Sequence, residues 1–290
     1  MSVELPLVSI CIPTFNGARY VEEAIRSAFA QTYPNLEMVI SDDGSVDDTL
    51  AIVERLRPEC PMPMVILHHE AAGIGANWNH CLRHATGTYV KFLFQDDLIT
   101  PDCIERMVKM AVQDPDVGLV YCRRHIIHDP GNPAHTAWVR RFGAVHLSWG
   151  RLAVSEGIMD GKAYLRDPNL LMHPRNKIGE PTAVLLHRRV FDREGLFDER
   201  LKQMLDYFHW YKVMRHFKVA FVDAELASFR LHDDQATSRN NRAASLPEYA
   251  MLPGLYLRHF FWQVAPTVRW ALLKQGTKAG RLLVRTGLIQ

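Results

Sequence analysis

The sequence predicts an α/β fold, a mostly parallel sheet with helices on both faces, followed by a basic helical tail. Strand-like and helix-like stretches alternate through the first 122 residues, the pattern of successive βαβ units. The strand-like stretches are continuous apolar runs such as "LVSICI" and "LEMVIS", as expected of strands covered on both faces. The tail follows from charge. From Tyr249 onward there is no Asp or Glu, while Arg258, Arg269, Lys274, Lys278, Arg281 and Arg285 interleave with Phe260, Phe261, Trp262 and Trp270.

In chain order, "LVSICI" is the first strand. Asn16 is placed to cap the next helix, where Val21, Ala24, Ile25, Ala28 and Phe29 share a face. Glu22 and Glu23 sit near the positive end of its dipole. "LEMVIS" is the second strand, after which Asp47 or Asp48 opens a helix to about Arg57, with Pro58 beyond its end. "MVIL" is the third strand. "GANWNHCLRHATG" is a helix with Trp78, Cys81, Leu82 and Ala85 inward and Gly87 as its stop. "TYVKFLF" is the fourth strand, Pro101 starts another helix, and "VGLVYC" is the fifth strand.

Residues 123–178, rich in His, Arg, Pro and Gly, predict loops and short helices. "TAVLLH" is a strand, Leu201 to Phe217 a helix, and "VAFVD" and "ASFRLH" two further strands. "YLRHFFWQV" and "VRWALLKQGTKAGRLLVR" each form an amphipathic helix. The expected organisation is one domain over 1–240, with halves 1–122 and 123–240, and a tail over 241–290.

Composition narrows the function. A net charge of +2 over 290 residues gives no reason to expect nucleic-acid binding. The five cysteines are scattered with no C-x-x-C pair, which fits a reducing compartment and argues against a thiolate zinc site or a disulfide framework. The N-terminus lacks a basic leader and reads as a strand, and no apolar run reaches the roughly 18 residues of a membrane span. The expected location is the cytoplasm.

The chemistry gathers at strand ends. The first strand ends in Pro13-Thr14-Phe15-Asn16, the second in Ser41-Asp42-Asp43-Gly44-Ser45, and the fourth in Gln95-Asp96-Asp97. Parallel strands place these ends at one rim, where open α/β sheets bind ligands. Four carboxylates would then share that rim and repel unless a cation or hydrogen-bond donors offset them. Oxygen ligands suit Mg²⁺ or Mn²⁺, with room left for phosphate oxygens. The P-loop pattern is absent, and "GIG" at 73–75 lacks the third glycine of a dinucleotide fingerprint. Taken singly, each segment has a plainer reading: "SDDGSVDD" as a turn, Asp206 as an acid at a helix start, His232 as a strand residue, Glu180 as a loop residue.

Taken together, these residues resemble the family 2 glycosyltransferases, which have the GT-A fold. The resemblance lies in "VSICIPTFNGARYVEEAIRSAFAQTYPNLEMVISDDGSVDDT" and "GIGANWNHCLRHATGTYVKFLFQDD", and continues through "GEPTAVLLHRRVFDREGLFDERL", "MLDYFHWYKV" and "FRLHDDQATS". It implies an inverting enzyme that takes a sugar from a nucleotide-diphosphate donor, with UDP-sugar expected, and a divalent cation, Mn²⁺ or Mg²⁺. By resemblance, Pro13, Thr14, Asn16, Asp42, Asp43, Asn79 and Asp96 hold the nucleotide. Asp97 and His232 approach the metal, Glu180 faces the acceptor or donor sugar, and Asp206 is the general base. Two departures stand out. The usual first Asp of the D-x-D motif is Phe94 or Gln95 here, and the acidic pair common at the base position is Leu205-Asp206.

The resemblance also implies a glycan or lipid-linked acceptor and a role in surface polysaccharide or glycolipid synthesis. The rival readings are a sugar-phosphate nucleotidyltransferase, for which "PTFNGARY" is a poor N-terminal loop, and a non-catalytic scaffold, which would have no use for a base. The tail has two readings: a helix lying on the inner face of an anionic membrane, or helices packed on the catalytic domain.

Overall fold

The structure, a computed structural model, describes residues 5–232, 235 and 248–286, apart from the side chain of Val284. The expected boundary at residue 240 and the end of "FRLHDDQATS" lie outside the described residues.

One sheet organises the described chain. Its strands are β1 (Val8–Thr14), β2 (Leu36–Asp42), β3 (Met64–His68), β4 (Tyr89–Phe92), β5 (Leu98–Ile99), β6 (Val117–Ile127), β7 (Gly157–Asp160), β8 (Val184–His187) and β9 (Lys218–Arg230). Their order is β3-β2-β1-β4-β8-β6-β9-β5, with β7 also paired to β9. Strands β1 to β4 are mutually parallel, and β6 runs parallel to β9. Strand β8 lies antiparallel between β4 and β6 and joins the two halves.

The helices α1 (Val21–Phe29), α2 (Thr49–Leu56), α3 (Ile74–His84) and α4 (Cys103–Ala111) connect the early strands. They are amphipathic, and their apolar faces divide between two buried clusters. Trp78, Cys81 and Leu82 of α3 pack in one; Ala24, Ile25, Ile104 and Met107 of α1 and α4 pack in the other. Later come α5 (Pro133–Phe142), α6 (Gly161–Leu165), α7 (Arg189–Glu194), α8 (Leu205–Val213), α9 (Glu248–Phe260), α10 (Pro266–Gly276) and α11 (Lys278–Arg285).

Several expectations change. Asn16 does not cap α1; it sits at φ 48°, and its Oδ1 accepts from Val46 N at 2.9 Å, tying the first rim loop to the second. Gly87 is not a left-handed helix stop. A Cβ there would lie 2.7 Å from Ser9 N and 2.8 Å from Leu7 O, so glycine is needed for close approach to β1. Strand β6 continues to Ile127, and "VAFVD" and "ASFR" belong to one 13-residue strand, β9, which ends before Leu231 and His232. The helix expected from Leu201 begins only at Leu205.

The tail packs. Leu252, Leu255, Tyr256 and Phe260 of α9, Val264 in the turn, and Val268 and Leu272 of α10 join the buried cluster that holds α3 and α8. By contrast, α11 exposes Leu282 and Leu283, and earlier in the tail Trp262, and Trp270 of α10, are exposed as well. Among the described residues, no helix is long and apolar enough to cross a membrane.

Candidate active site

A cavity of about 750 Å³ opens at the rim where β1, β2 and β4 end. The register places Thr14 opposite Asp42, so the first two strand ends meet there. Thr14 Oγ1 donates to Asp42 Oδ1 at 2.8 Å. Asp42 also accepts from Ser45 N (2.8 Å) and Ser45 Oγ (2.6 Å), and His68 Nδ1 lies 3.1 Å away. Asp42 is fully buried and fastens the turn from behind the cavity wall.

Asp43 reaches the cavity. Its oxygens accept from Ala72 N (2.6 Å) and Gly73 N (2.9 Å), so it holds the loop before α3 as part of the wall. Pro13, Thr14 and Asn16 line the same space. Asn79 does not. Its side chain exchanges hydrogen bonds with the backbone N–H and carbonyl of Phe197, both 3.0 Å, and donates to Glu199 Oε1. The asparagine of α3 at the cavity is Asn77, whose Nδ2 donates to the Thr14 carbonyl at 3.1 Å.

After β4 the chain turns sharply, with Asp97 N donating to the Phe94 carbonyl. Gln95 bonds the Phe15 backbone in both directions, and Gly17 leaves room for its side chain. The adjacent aspartates point to different places. Asp96 lines the cavity, and its Oδ2 lies 3.0 Å from His232 Nε2. Asp97 is fully buried. It accepts from Thr182 Oγ1 at 2.6 Å and Arg230 N at 3.1 Å. Burial, with the Asp96 charge second, pushes the Asp97 carboxyl well above the usual carboxylate range.

The second half closes the cavity. Glu180 lies against Arg124 Nε at 2.7 Å. Asp206, in the first turn of α8, accepts from Asn176 Nδ2 at 2.8 Å and from Tyr207 N at 2.6 Å. Burial, with smaller contributions from the charges of Glu180 and Glu248, raises its carboxyl to about 7. Such a carboxyl exchanges its proton at neutral pH.

The sequence from residue 9 to 170 matches the family model described as glycosyl transferase family 2. The chain belongs to this family. It is 30% identical over 256 residues to an uncharacterized glycosyltransferase of Rickettsia typhi, covering 87% of this chain and 72% of that one. Two solved structures share its GT-A fold. S. aureus TarS 1–349 in complex with UDP-GlcNAc superposes with a TM-score of 0.64 at 17% identity, covering 95% of this chain and 74% of that one. Mannosyltransferase PcManGT from Pyrobaculum calidifontis, in complex with GDP-Man and Mn²⁺, gives 0.57 at 22% identity, covering 98% and 79%.

A family 2 glycosyltransferase with a divalent cation needs donors beside the diphosphate. Among the described residues, no three His, Cys, Asp or Glu side chains cluster as a metal cage. Asp96 and His232 offer two donors facing one space, and His232 Nδ1 is buried without a hydrogen-bond partner. An oxygen and an imidazole nitrogen fit Mn²⁺ or Mg²⁺ if diphosphate and water supply the remaining ligands. Asp97 has both oxygens committed to protein donors and stands behind this pair.

Sequence reasoning missed four residues of this glycosyltransferase site. Asn77 was passed over for Asn79. Arg19 and Tyr20 line the cavity, and Tyr20 packs its ring 5.1 Å from that of His232 and under the Arg230 guanidinium. Arg124 was not singled out, and no motif marks it.

Proposed function

We propose that this glycosyltransferase is an inverting enzyme that moves a sugar from a UDP-sugar to a hydroxyl of a glycan or lipid-linked acceptor, in surface polysaccharide or glycolipid synthesis. The observation that carries the reading is Asp206: a carboxyl raised to about 7 in the same cavity as the Asp96–His232 pair. A base for the acceptor and a seat for the leaving diphosphate therefore share one space.

In this reading Pro13, Thr14, Asn16, Asp43 and Asn77 form the nucleotide pocket, with Asp42 bracing it. Asp96 and His232 would hold the cation, whose positive charge would be supplied to the leaving diphosphate. Asp206 takes the proton from the acceptor hydroxyl, which attacks the face opposite the leaving group and inverts the anomeric centre. Glu180, held by Arg124, hydrogen-bonds a sugar hydroxyl. The apolar lining from Trp78, Phe94, Pro181 and Phe229 keeps water from competing with the acceptor. The UDP assignment draws support from the TarS neighbour and its UDP-GlcNAc.

The catalytic domain of this reading spans 1–240 and the tail 241–290. With α9 and α10 packed on that domain, the exposed part of the basic tail, Trp262, Trp270 and α11, then rests on an anionic membrane at its cytoplasmic face. A panel of nucleotide sugars with and without Mn²⁺, read by thermal shift and by sugar transfer, tests the proposal. Stabilisation by UDP-sugars with Mn²⁺, followed by transfer, is the expected result. Tight binding with neither transfer nor donor hydrolysis would replace the enzyme by a binding protein.

A further inference from the structure

Glu248 is the first residue of α9 and is buried, with only 2% of its surface exposed. A buried carboxylate is costly unless it is well partnered. Its partners come from the cavity wall, not from its own helix. Oε2 accepts from Lys202 N at 2.6 Å and from Gln203 N at 3.2 Å, while Oε1 is buried without a hydrogen-bond partner. Lys202, Gln203, Leu205 and Asp206 all line the cavity. The stretch 202–204 has no regular structure of its own. Its grip on the rest of the molecule therefore includes a carboxylate from α9, the first helix of the tail. We propose that Glu248 is a positioning residue that holds the Lys202–Asp206 wall in place for the acceptor, making α9 part of the active site.

This inference rests on the glycosyltransferase reading above. Removing the carboxylate frees two backbone N–H groups and lets the wall next to the base move. The donor side is held by other elements: β1, the loop before α3, and the end of β4. Acceptor kinetics should therefore suffer while nucleotide affinity does not. A second consequence is electrostatic. Burial chiefly pushes the Asp206 proton affinity up, the Tyr207 N–H opposes it, and the charges of Glu180 and, less, Glu248 add to the rise. Asn176 is neutral. Neutralising Glu248 while keeping its shape should ease proton loss from Asp206.

The test uses the full-length chain with UDP-N-acetylglucosamine, UDP-glucose and UDP-galactose as donors and p-nitrophenyl glycosides as acceptors. Glu248→Ala should lower kcat/KM for the acceptor by about tenfold or more, the scale of one lost charge-assisted hydrogen bond. UDP affinity by calorimetry should stay within about twofold of the parent. Glu248→Gln keeps an oxygen that accepts the same N–H groups. It should recover most of the rate and move the acidic limb of the pH–rate profile to lower pH. Parental acceptor kinetics in Glu248→Ala, or an equal loss of UDP affinity, would overturn the inference. If Glu248→Ala does not fold, parental acceptor kcat/KM in Glu248→Asp, whose shorter side chain cannot reach both N–H groups, overturns it. A parent that transfers no sugar from any nucleotide sugar overturns the glycosyltransferase reading and this inference together. A transferring parent matched by both variants overturns this inference alone.

Discussion

Replacing Asp206 with Asn should raise stability and abolish transfer at once. The folded carboxyl titrates near 7, against about 3.9 for an unfolded Asp. Below pH 4 both states hold the proton and the site contributes nothing to the pH dependence. As pH rises from about 4 to 7, the unfolded chain releases its proton first, so the folded state loses stability until the folded carboxyl also ionises. Three pKa units at about 1.4 kcal/mol each set a ceiling of about 4 kcal/mol. Asp206 is partly exposed in the cavity, and water screening reduces this to about 1–2 kcal/mol. Asn carries no such penalty. It does leave one of the Asn176 and Tyr207 donors without an oxygen, which costs about 1 kcal/mol at every pH. The difference between variant and parent should therefore climb between pH 4 and 7 and level off above 8. Transfer should fall by about 10² to 10⁴, mainly in kcat, with UDP affinity unchanged. The parent rate should itself rise with pH through about 7. Urea melts at several pH values, with initial rates in the same buffers, make the test. Parallel stability–pH curves would show that the raised affinity is not there. Parental transfer by the variant would show that another group is the base.

The remaining expectations concern the metal pair, the buried aspartate and the tail. Asp96→Asn and His232→Ala should each weaken Mn²⁺-dependent UDP binding by about tenfold or more in calorimetry while leaving the melting temperature near the parent's. Asp97→Asn should act on stability instead: it leaves Thr182 Oγ1 or Arg230 N without an acceptor, a loss of about 1–3 kcal/mol in acidic urea melts. That loss shrinks as pH rises, because the parent's raised carboxyl loses stability on ionising and Asn does not. A chain ending at residue 240 should fail to give a cooperative melt. It loses Leu252, Leu255, Tyr256 and Phe260, each buried, or about 8 kcal/mol at about 2 kcal/mol per side chain, against a usual net stability of about 5–15. Arg281→Glu with Arg285→Glu should keep the fold and reduce co-sedimentation with phosphatidylglycerol vesicles, and unchanged sedimentation would remove α11 from the membrane reading.

The rim was legible because β1, β2 and β4 are apolar runs that stop at polar turns, and parallel order alone brings those stops together. What stands on the rim was harder to read. Strand β4 ends at Phe92, and Asp96 and Asp97 lie in the turn that Asp97 N closes on the Phe94 carbonyl, so strand alternation no longer says which one faces the ligand. Asn77, Trp78 and Asn79 are all buried. The phase of α3 therefore had to come from its packing, with Asn79 tied to Phe197 and Asn77 to Thr14. The two-strand reading of β9 arose from Asp223 and Glu225. Asp223 pairs with Arg123 and Glu225 lies near His125, both from β6, where the register shifts by a bulge. Glu248 stands one residue before the acid-free tail that begins at Tyr249, and nothing in the composition around it marks a partner.

Two carboxylates side by side at the end of an apolar strand repel, and the fold separates their duties. Asp97 turns inward. Its oxygens join Thr182, two residues beyond Glu180, to the backbone of Arg230, two residues before His232. Lys91, wholly buried on β4, donates to the Thr182 carbonyl, so a cation stands within the same bonded network. Arg230 in turn donates to the Asp96 carbonyl at 3.0 Å. The buried aspartate thus fixes the two wall segments that carry Glu180 and His232. Asp96 is left free to turn outward, with His232 as its only side-chain partner among the described residues. An outward carboxylate with an imidazole beside it offers donors that a divalent cation would bind, and the buried neighbour fixes the backbone that carries the pair.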